Sequence, residues 1–193
     1  VILKKSKIKV KKIFFKNILK LITVGRLVDQ KNQITILKAL NEIKGKVDFE
    51  LIIIGKGNLK NVLIEYINRN NLKKYIKILN FKKNPYPYIK QAEIFLLSSK
   101  FEGLPNVLLE SQVLKKYIIS CNCPTGPKEI LLDGKAGDLY KINDYNNLAN
   151  LILKYKKNKF KNFQKIKLGY KYLNRYNFIK NLKEYDKTIS QYL

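Results

Sequence analysis

The sequence predicts an α/β fold: a Rossmann-like, doubly wound parallel sheet. Two observations carry that prediction. Short apolar runs alternate along the chain with stretches whose apolar residues recur every three or four positions. The runs are apolar along their whole length, as strands covered on both faces are. At 193 residues and 46% apolar content the chain is long enough for one domain with a sizeable core.

Residues 1–16 are basic, with Ile8, Val10 and Ile13 interspersed, and read as a linker or edge segment. Residues 18–24 form the first strand, ending at Gly25. Ile34, Leu37, Leu40 and Ile43 mark a helix over 32–44, with Asn32 as its cap. Residues 49–54 are the second strand, closed by Gly55-Lys56-Gly57. A G-x-G without a third glycine is a weak phosphate signal. Leu59, Val62, Leu63, Tyr66 and Ile67 make the next helix. Strands follow at 76–81, 94–98, 117–121 and 137–142. Between them lie helices over 88–92 and 105–115, and one marked by Leu148, Leu151, Ile152 and Tyr155 comes after. Two tail helices are predicted. Tyr170, Leu173 and Tyr176 mark one; Phe178, Ile179, Leu182, Tyr185, Ile189 and Tyr192 mark the other.

In such sheets ligands bind beyond the carboxyl ends of the strands. Gly25-Arg26, Gly55-Lys56, Asn80-Phe81, residues 99–103 and residues 121–126 all fall there, so the candidate site residues converge on one rim. The stretch from Ser98 to Glu110 is the richest of these segments. It turns through Glu102-Gly103 and opens a helix, with Pro105 at the first helical position and Leu104 as a cap without a side-chain oxygen. An uncapped helix start is an anion site. With Glu102 before it and Glu110 inside it, the combination suits a phosphate plus hydroxyl groups, as in a nucleotide sugar. The same strand–turn–helix pattern is also that of an ordinary crossover.

The net charge of +26 raises nucleic acid and anionic membranes as partners. Only Arg26, Arg69 and Arg175 are arginine, however, and bidentate phosphate and base recognition leans on arginine. Lysines scattered over every segment read mainly as solvated faces, with a basic surface toward anionic lipid as the remaining alternative. No specific nucleic-acid binding is expected. Cys121 and Cys123 are too close for an ordinary disulfide and lack a zinc site's partners, so reduced thiols are expected. The chain has no His and no D-x-D triplet, so no metal is expected. No apolar run approaches the ~18 residues of a membrane span, and lysines interrupt the N-terminal stretch where a secretory signal would lie. The chain has no Met, so either a fragment or a chain whose first residues are not included is expected.

Four segments carry a family resemblance. Phe101-Glu102-Gly103-Leu104-Pro105-Asn106 with Glu110 resembles the E-x7-E motif of GT-B glycosyltransferases of family 4. Gly25-Arg26-Leu27 with Gln30-Lys31-Asn32 resembles that family's phosphate-contacting segment. Asn84-Pro85-Tyr86-Pro87-Tyr88, and the segment from Cys123 to Glu129, resemble its bacterial polysaccharide and lipopolysaccharide members. The segments occur in the family's order and together resemble its second, donor-binding domain.

The resemblance implies the C-terminal half of a GT-B fold. Residues 1–17 would then be the remnant of an interdomain linker, 18–160 the nucleotide-sugar-binding domain, and 161–193 helices that pack back on an absent N-terminal domain. It implies transfer of a sugar from a nucleotide sugar, a UDP-sugar, to a saccharide or lipid-linked acceptor with retention of configuration, without a metal or other cofactor. Arg26 and Lys31 would neutralise the departing diphosphate, and Glu102 would orient the sugar. Glu110 would hold the ribose. Gly25, Gly103, Leu104, Asn106, Phe81 and Gly126 would line the donor. A cytoplasmic enzyme, peripheral on the inner face of the membrane, is the implied setting. The rival readings are a non-catalytic nucleotide-sugar-binding module or inactive remnant, and a basic nucleic-acid-binding protein.

Overall fold

Each predicted apolar run becomes a strand in the computed structural model, which describes residues 1–14 and 18–191. The strands are β1 (Leu19–Val24), β2 (Phe49–Ile54), β3 (Ile76–Leu79), β4 (Ile94–Leu97), β5 (Tyr117–Cys121) and β6 (Asp138–Tyr140). They pair in parallel in the order β3-β2-β1-β4-β5-β6. Every residue of β2, β4 and β5 is buried, because helices cover both faces of the sheet. This is the doubly wound architecture that the sequence predicts.

Successive strand residues point to opposite faces and so feed two cores. Leu21, Leu51, Ile53, Leu96 and Ile119 pack against α2 (Gln33–Ile43), α3 (Lys60–Arg69) and α7 (Tyr145–Lys157). Ile22, Ile52, Phe95, Leu97 and Ile118 pack against α4 (Tyr86–Gln91), α5 (Asn106–Val113) and α6 (Pro127–Ile130). The one buried carboxylate of β2, Glu50, is 2% exposed and pairs with Lys77 of the neighbouring β3. Burial of an ion is tolerated when it is paired.

Several local readings need correction. Residues 2–5, expected as linker or edge, form a short helix, α1 (Ile2–Lys5). β3 stops at Leu79, leaving Asn80 and Phe81 in a loop. Asn32 stands at the cap position of α2, but its left-handed backbone (φ 49°, ψ 41°) turns its side chain away, and Nδ2 donates to Asn143 Oδ1 at 2.9 Å. Helix α5 begins at Asn106, so Pro105 is the cap and Leu104 lies before it; ψ of 90° holds Pro105 outside the helical region. Tyr170 does not share a helix with Leu173 and Tyr176. It ends a longer helix, α8 (Lys159–Tyr172), and a 3-10 turn follows at Leu173–Tyr176. The last helix, α9 (Phe178–Ile189), forms as predicted, and Phe178, Ile179, Leu182, Tyr185 and Ile189 all lie exposed along it. Tyr192 and part of the 1–17 segment, residues 15–17, lie outside the described residues.

Lys116, in the turn between α5 and β5, is held in by two main-chain carbonyls. Its Nζ donates to Lys90 O at 2.7 Å and Ala92 O at 2.8 Å. Burial brings its pKa down to about 8, with Glu93 opposing the shift and Lys90 and Lys20 adding to it. An unfolded lysine titrates near ~10.4. Between those values the unfolded chain binds more protons than the folded one, so stability rises with pH. Compared with Lys116→Met, the wild-type protein should therefore gain melting temperature between about pH 8 and about pH 10. A difference that stays flat across that range would show an amine solvated like any surface lysine.

Candidate functional site

The site is placed by the sheet order. β1 neighbours β4, and the crossovers leave this pair in opposite directions, so a crevice opens beyond the carboxyl ends of these two strands. Among the described residues β1 and β4 pair at only two positions, Leu21 with Ile94 and Ile22 with Phe95. The loops that follow meet again further out. Ser98 Oγ donates to Lys31 O at 2.8 Å, and Lys100 N to Gln30 O at 2.8 Å. Gln30 Nε2 donates to Phe101 O at 3.0 Å, and Lys100 Nζ pairs with Asp29 at 2.6 Å.

Glycines let neighbouring loops approach backbone to backbone. A Cβ on Gly55 would stand 1.9 Å from Gly25 O, and one on Gly57 would stand 2.2 Å from Leu27 O. The weak G-x-G signal therefore has a packing explanation: both glycines seat the loop after β2 against the loop after β1. On the other side, Thr125 Oγ1 donates to Glu102 O. Gly126 has φ of +81°, and a Cβ there would lie 2.2 Å from Gly103 O and 2.5 Å from Pro105 Cδ. Gly103 itself faces open space, with no atom within 4 Å of where its Cβ would be.

The charged groups pair across the crevice. Lys31 Nζ lies 2.5 Å from Glu102 Oε1, with side-chain exposures of 19% and 8%. Ser99 Oγ donates to the same oxygen at 2.5 Å. Arg26 is exposed and donates from Nη2 to Gln30 Oε1 at 3.0 Å. Gly25, Lys31, Glu102, Gly103 and Gly126 thus lie on adjoining loops of the crevice, while Arg26 bonds to Gln30 and Leu104 is exposed. The cap of α5, which starts beside them, contributes no side-chain hydrogen bond. Such a helix start attracts anions.

Glu110 and Phe81 make their contacts elsewhere. Tyr86 OH donates to Glu110 Oε1 at 3.0 Å. Burial first, and that carboxylate second, raise the tyrosine's pKa above its ordinary value. Phe81 is exposed, with Lys56 Nζ 5.7 Å from its ring centre, and Lys60 Nζ donates to Asn80 Oδ1 at 2.9 Å. Glu129 lies in the first turn of α6 and accepts from Tyr176 OH at 2.9 Å, which ties it to the C-terminal segment. Both thiols are reduced and buried, and Cys121 Sγ donates to Ser99 O at 2.8 Å. Among the described residues no three His, Cys, Asp or Glu side chains cluster as a metal site would require.

The sequence model of the glycosyl transferases group 1 family matches residues 4–172. The chain belongs to that family. Among curated relatives, an uncharacterized glycosyltransferase of Methanocaldococcus jannaschii is 41% identical over 118 residues, 61% of this chain and 29% of the relative. The N-acetylgalactosamine-N,N'-diacetylbacillosaminyl-diphospho-undecaprenol 4-alpha-N-acetylgalactosaminyltransferase of Campylobacter jejuni is 33% identical over 128 residues, 66% of this chain and 34% of the relative. The chain thus spans about a third of the length of these curated relatives. Among solved structures, Anabaena HepE in complex with UDP superposes with a TM-score of 0.81 at 18% identity, over 90% of this chain and 49% of that one. The fold is therefore that of a GT-B glycosyltransferase half.

Sequence reasoning assigned no role to Ser99, Tyr86, Gln30 or Thr125, although each bonds to a candidate site residue. Gln30, Tyr86 and Thr125 are signalled only by membership of the segments that carry the resemblance, and Ser99 by its position after a strand's carboxyl end. Gly126→Ala adds a clash with main chain to a backbone strain, and should lower unfolding free energy by roughly 2 kcal/mol or more. Gly103→Ala enters open space and should cost under about 1 kcal/mol. Denaturant titration of both variants measures the contrast; equal costs would mean that the loop after β5 is not seated on the Gly103 turn.

Proposed function

We propose that this chain is the donor-binding part of a family 4-like GT-B glycosyltransferase, which takes a sugar from a UDP-sugar and passes it, with retention, to a saccharide or lipid-linked acceptor. The observation that carries this reading is the meeting of Arg26, Lys31 and Glu102 with the start of α5 in the crevice between β1 and β4. Support for the donor comes from the similar fold of Anabaena HepE, which was solved with UDP. Support for the acceptor class comes from the Campylobacter relative, whose name specifies a diphospho-undecaprenol acceptor.

In this reading the cations and the helix start stabilise charge that develops on the departing diphosphate. Glu110, steadied by Tyr86, accepts hydrogen bonds from the ribose hydroxyls, and a carboxylate has acceptor capacity for both. Glu102 faces the sugar. Phe81 and Asn80 lie toward the base. No metal takes part. Transfer additionally needs an acceptor-binding domain that closes over the donor, excludes water and aligns the acceptor. Among the described residues no helix is long and apolar enough to cross a membrane.

Calorimetry with UDP tests the donor reading. The purified chain should bind UDP, and Glu110→Ala should weaken it. Loss of a hydrogen bond to a charged group costs about 1.5–3 kcal/mol, or roughly 10- to 100-fold in affinity. Equal UDP affinity in both proteins removes Glu110 from the site. Transfer of labelled sugar by these residues alone, without an added acceptor domain, would contradict the division of labour proposed here.

A further inference from the structure

We propose that diphosphate binding draws Lys31 off Glu102, so that the donor site exchanges an internal ion pair for a ligand one. This inference rests on the donor-site reading above and adds a coupling to it.

Lys31 and Glu102 form a sheltered pair at 2.5 Å, the carboxylate being the more buried partner. The stem of Lys31 is fixed. Its carbonyl accepts from Ser98 Oγ at 2.8 Å, and its methylenes lie along Gly25, 3.7–3.8 Å from the Cβ position there. The exchange needs movement of the ammonium end alone. Arg26 differs, because its guanidinium is exposed and its bond to Gln30 involves a neutral oxygen. An arriving diphosphate therefore meets two kinds of cation. Arg26 offers a full positive charge at once. Lys31 comes with a carboxylate attached, and the pair together is neutral.

The phosphate gains the full attraction of Lys31 only if Nζ turns away from Glu102. That step gives up a pair which solvent screens little. It also leaves the Glu102 carboxylate with Ser99 Oγ as its donor and with unused acceptor capacity. Hydroxyl groups are the natural replacement, and a nucleotide sugar brings them on the same molecule as its phosphates. Phosphate occupancy would thus prepare the carboxylate for the sugar.

The coupling gives a signed test. A carboxylate that merely belonged to the donor site would lower affinity when neutralised. Here Glu102→Gln should raise the affinity for UDP, because Lys31 no longer has to leave a partner. Part of any gain comes from plain relief of carboxylate–phosphate repulsion, and a double-mutant cycle isolates the rest. Four proteins are titrated with UDP by calorimetry: wild type, Glu102→Gln, Lys31→Met and the double variant. We expect Glu102→Gln to tighten UDP about fivefold with Lys31 present and about twofold or less in the Lys31→Met background. Uridine, which has no phosphate, should bind all four alike. Lys31→Gln provides a second cycle if Lys31→Met melts at assay temperature.

An equal or larger gain in the Lys31-substituted background overturns the exchange, because Lys31 then adds nothing to the effect of Glu102 on UDP binding. A gain that appears with uridine also overturns it. Failure of the wild-type chain to bind UDP overturns the donor reading and this inference together, so the two failures are distinguishable.

Discussion

The narrow contact between β1 and β4 sets the rest of the molecule. β1 pairs with β2 along six residues, and with β4 along two. Beyond Ile22 and Phe95 the two strands part, and the separation is what leaves room between their loops. The opening stays defined because the loops rejoin further out through Ser98, Lys100 and Gln30. The crevice thus has a rigid floor of buried strand ends and a rim tied by hydrogen bonds. Preorganisation of this kind lets charged groups act without first reorganising.

The chain carries 40 basic and 14 acidic residues, yet acids meet the bases at its sheltered sites. Glu50 pairs with Lys77, Asp138 with Lys165, and Glu102 with Lys31. Surface lysines need no partner because water solvates them. Where solvent is limited, a lysine is met by a carboxylate or, as at Lys116, by main-chain carbonyls. The scarce acids are therefore the informative charges in this sequence, and net charge alone says little about the site.

The strands were legible because burial on both faces requires apolar residues throughout, and those runs stand out. Helix α8 was not, and its buried face explains why. The residues it buries are Asn162 and Gly169. Asn162 Nδ2 donates to Tyr155 O at 2.7 Å, and Gly169 makes room for Gln112, whose Nε2 lies 2.8 Å from the Cβ position. Apolar periodicity cannot find a helix docked through an amide and a glycine. Helix α6, at four residues, is too short for any period to show. The site followed the same division. Its loops were readable from strand ends and glycines, whereas the pairing of Lys31 with Glu102 spans 71 positions of chain and depends on the tertiary path alone.

The apolar stripe of α9 and the excess of lysine act against each other in solution. Five exposed apolar side chains along one helix favour association between copies. A net charge of +26 keeps copies apart at a distance set by the ionic atmosphere. That distance shrinks from about 30 Å at 0.01 M salt to about 8 Å at 0.15 M. Salt that screens the lysines therefore weakens the repulsion that opposes contact between exposed α9 helices.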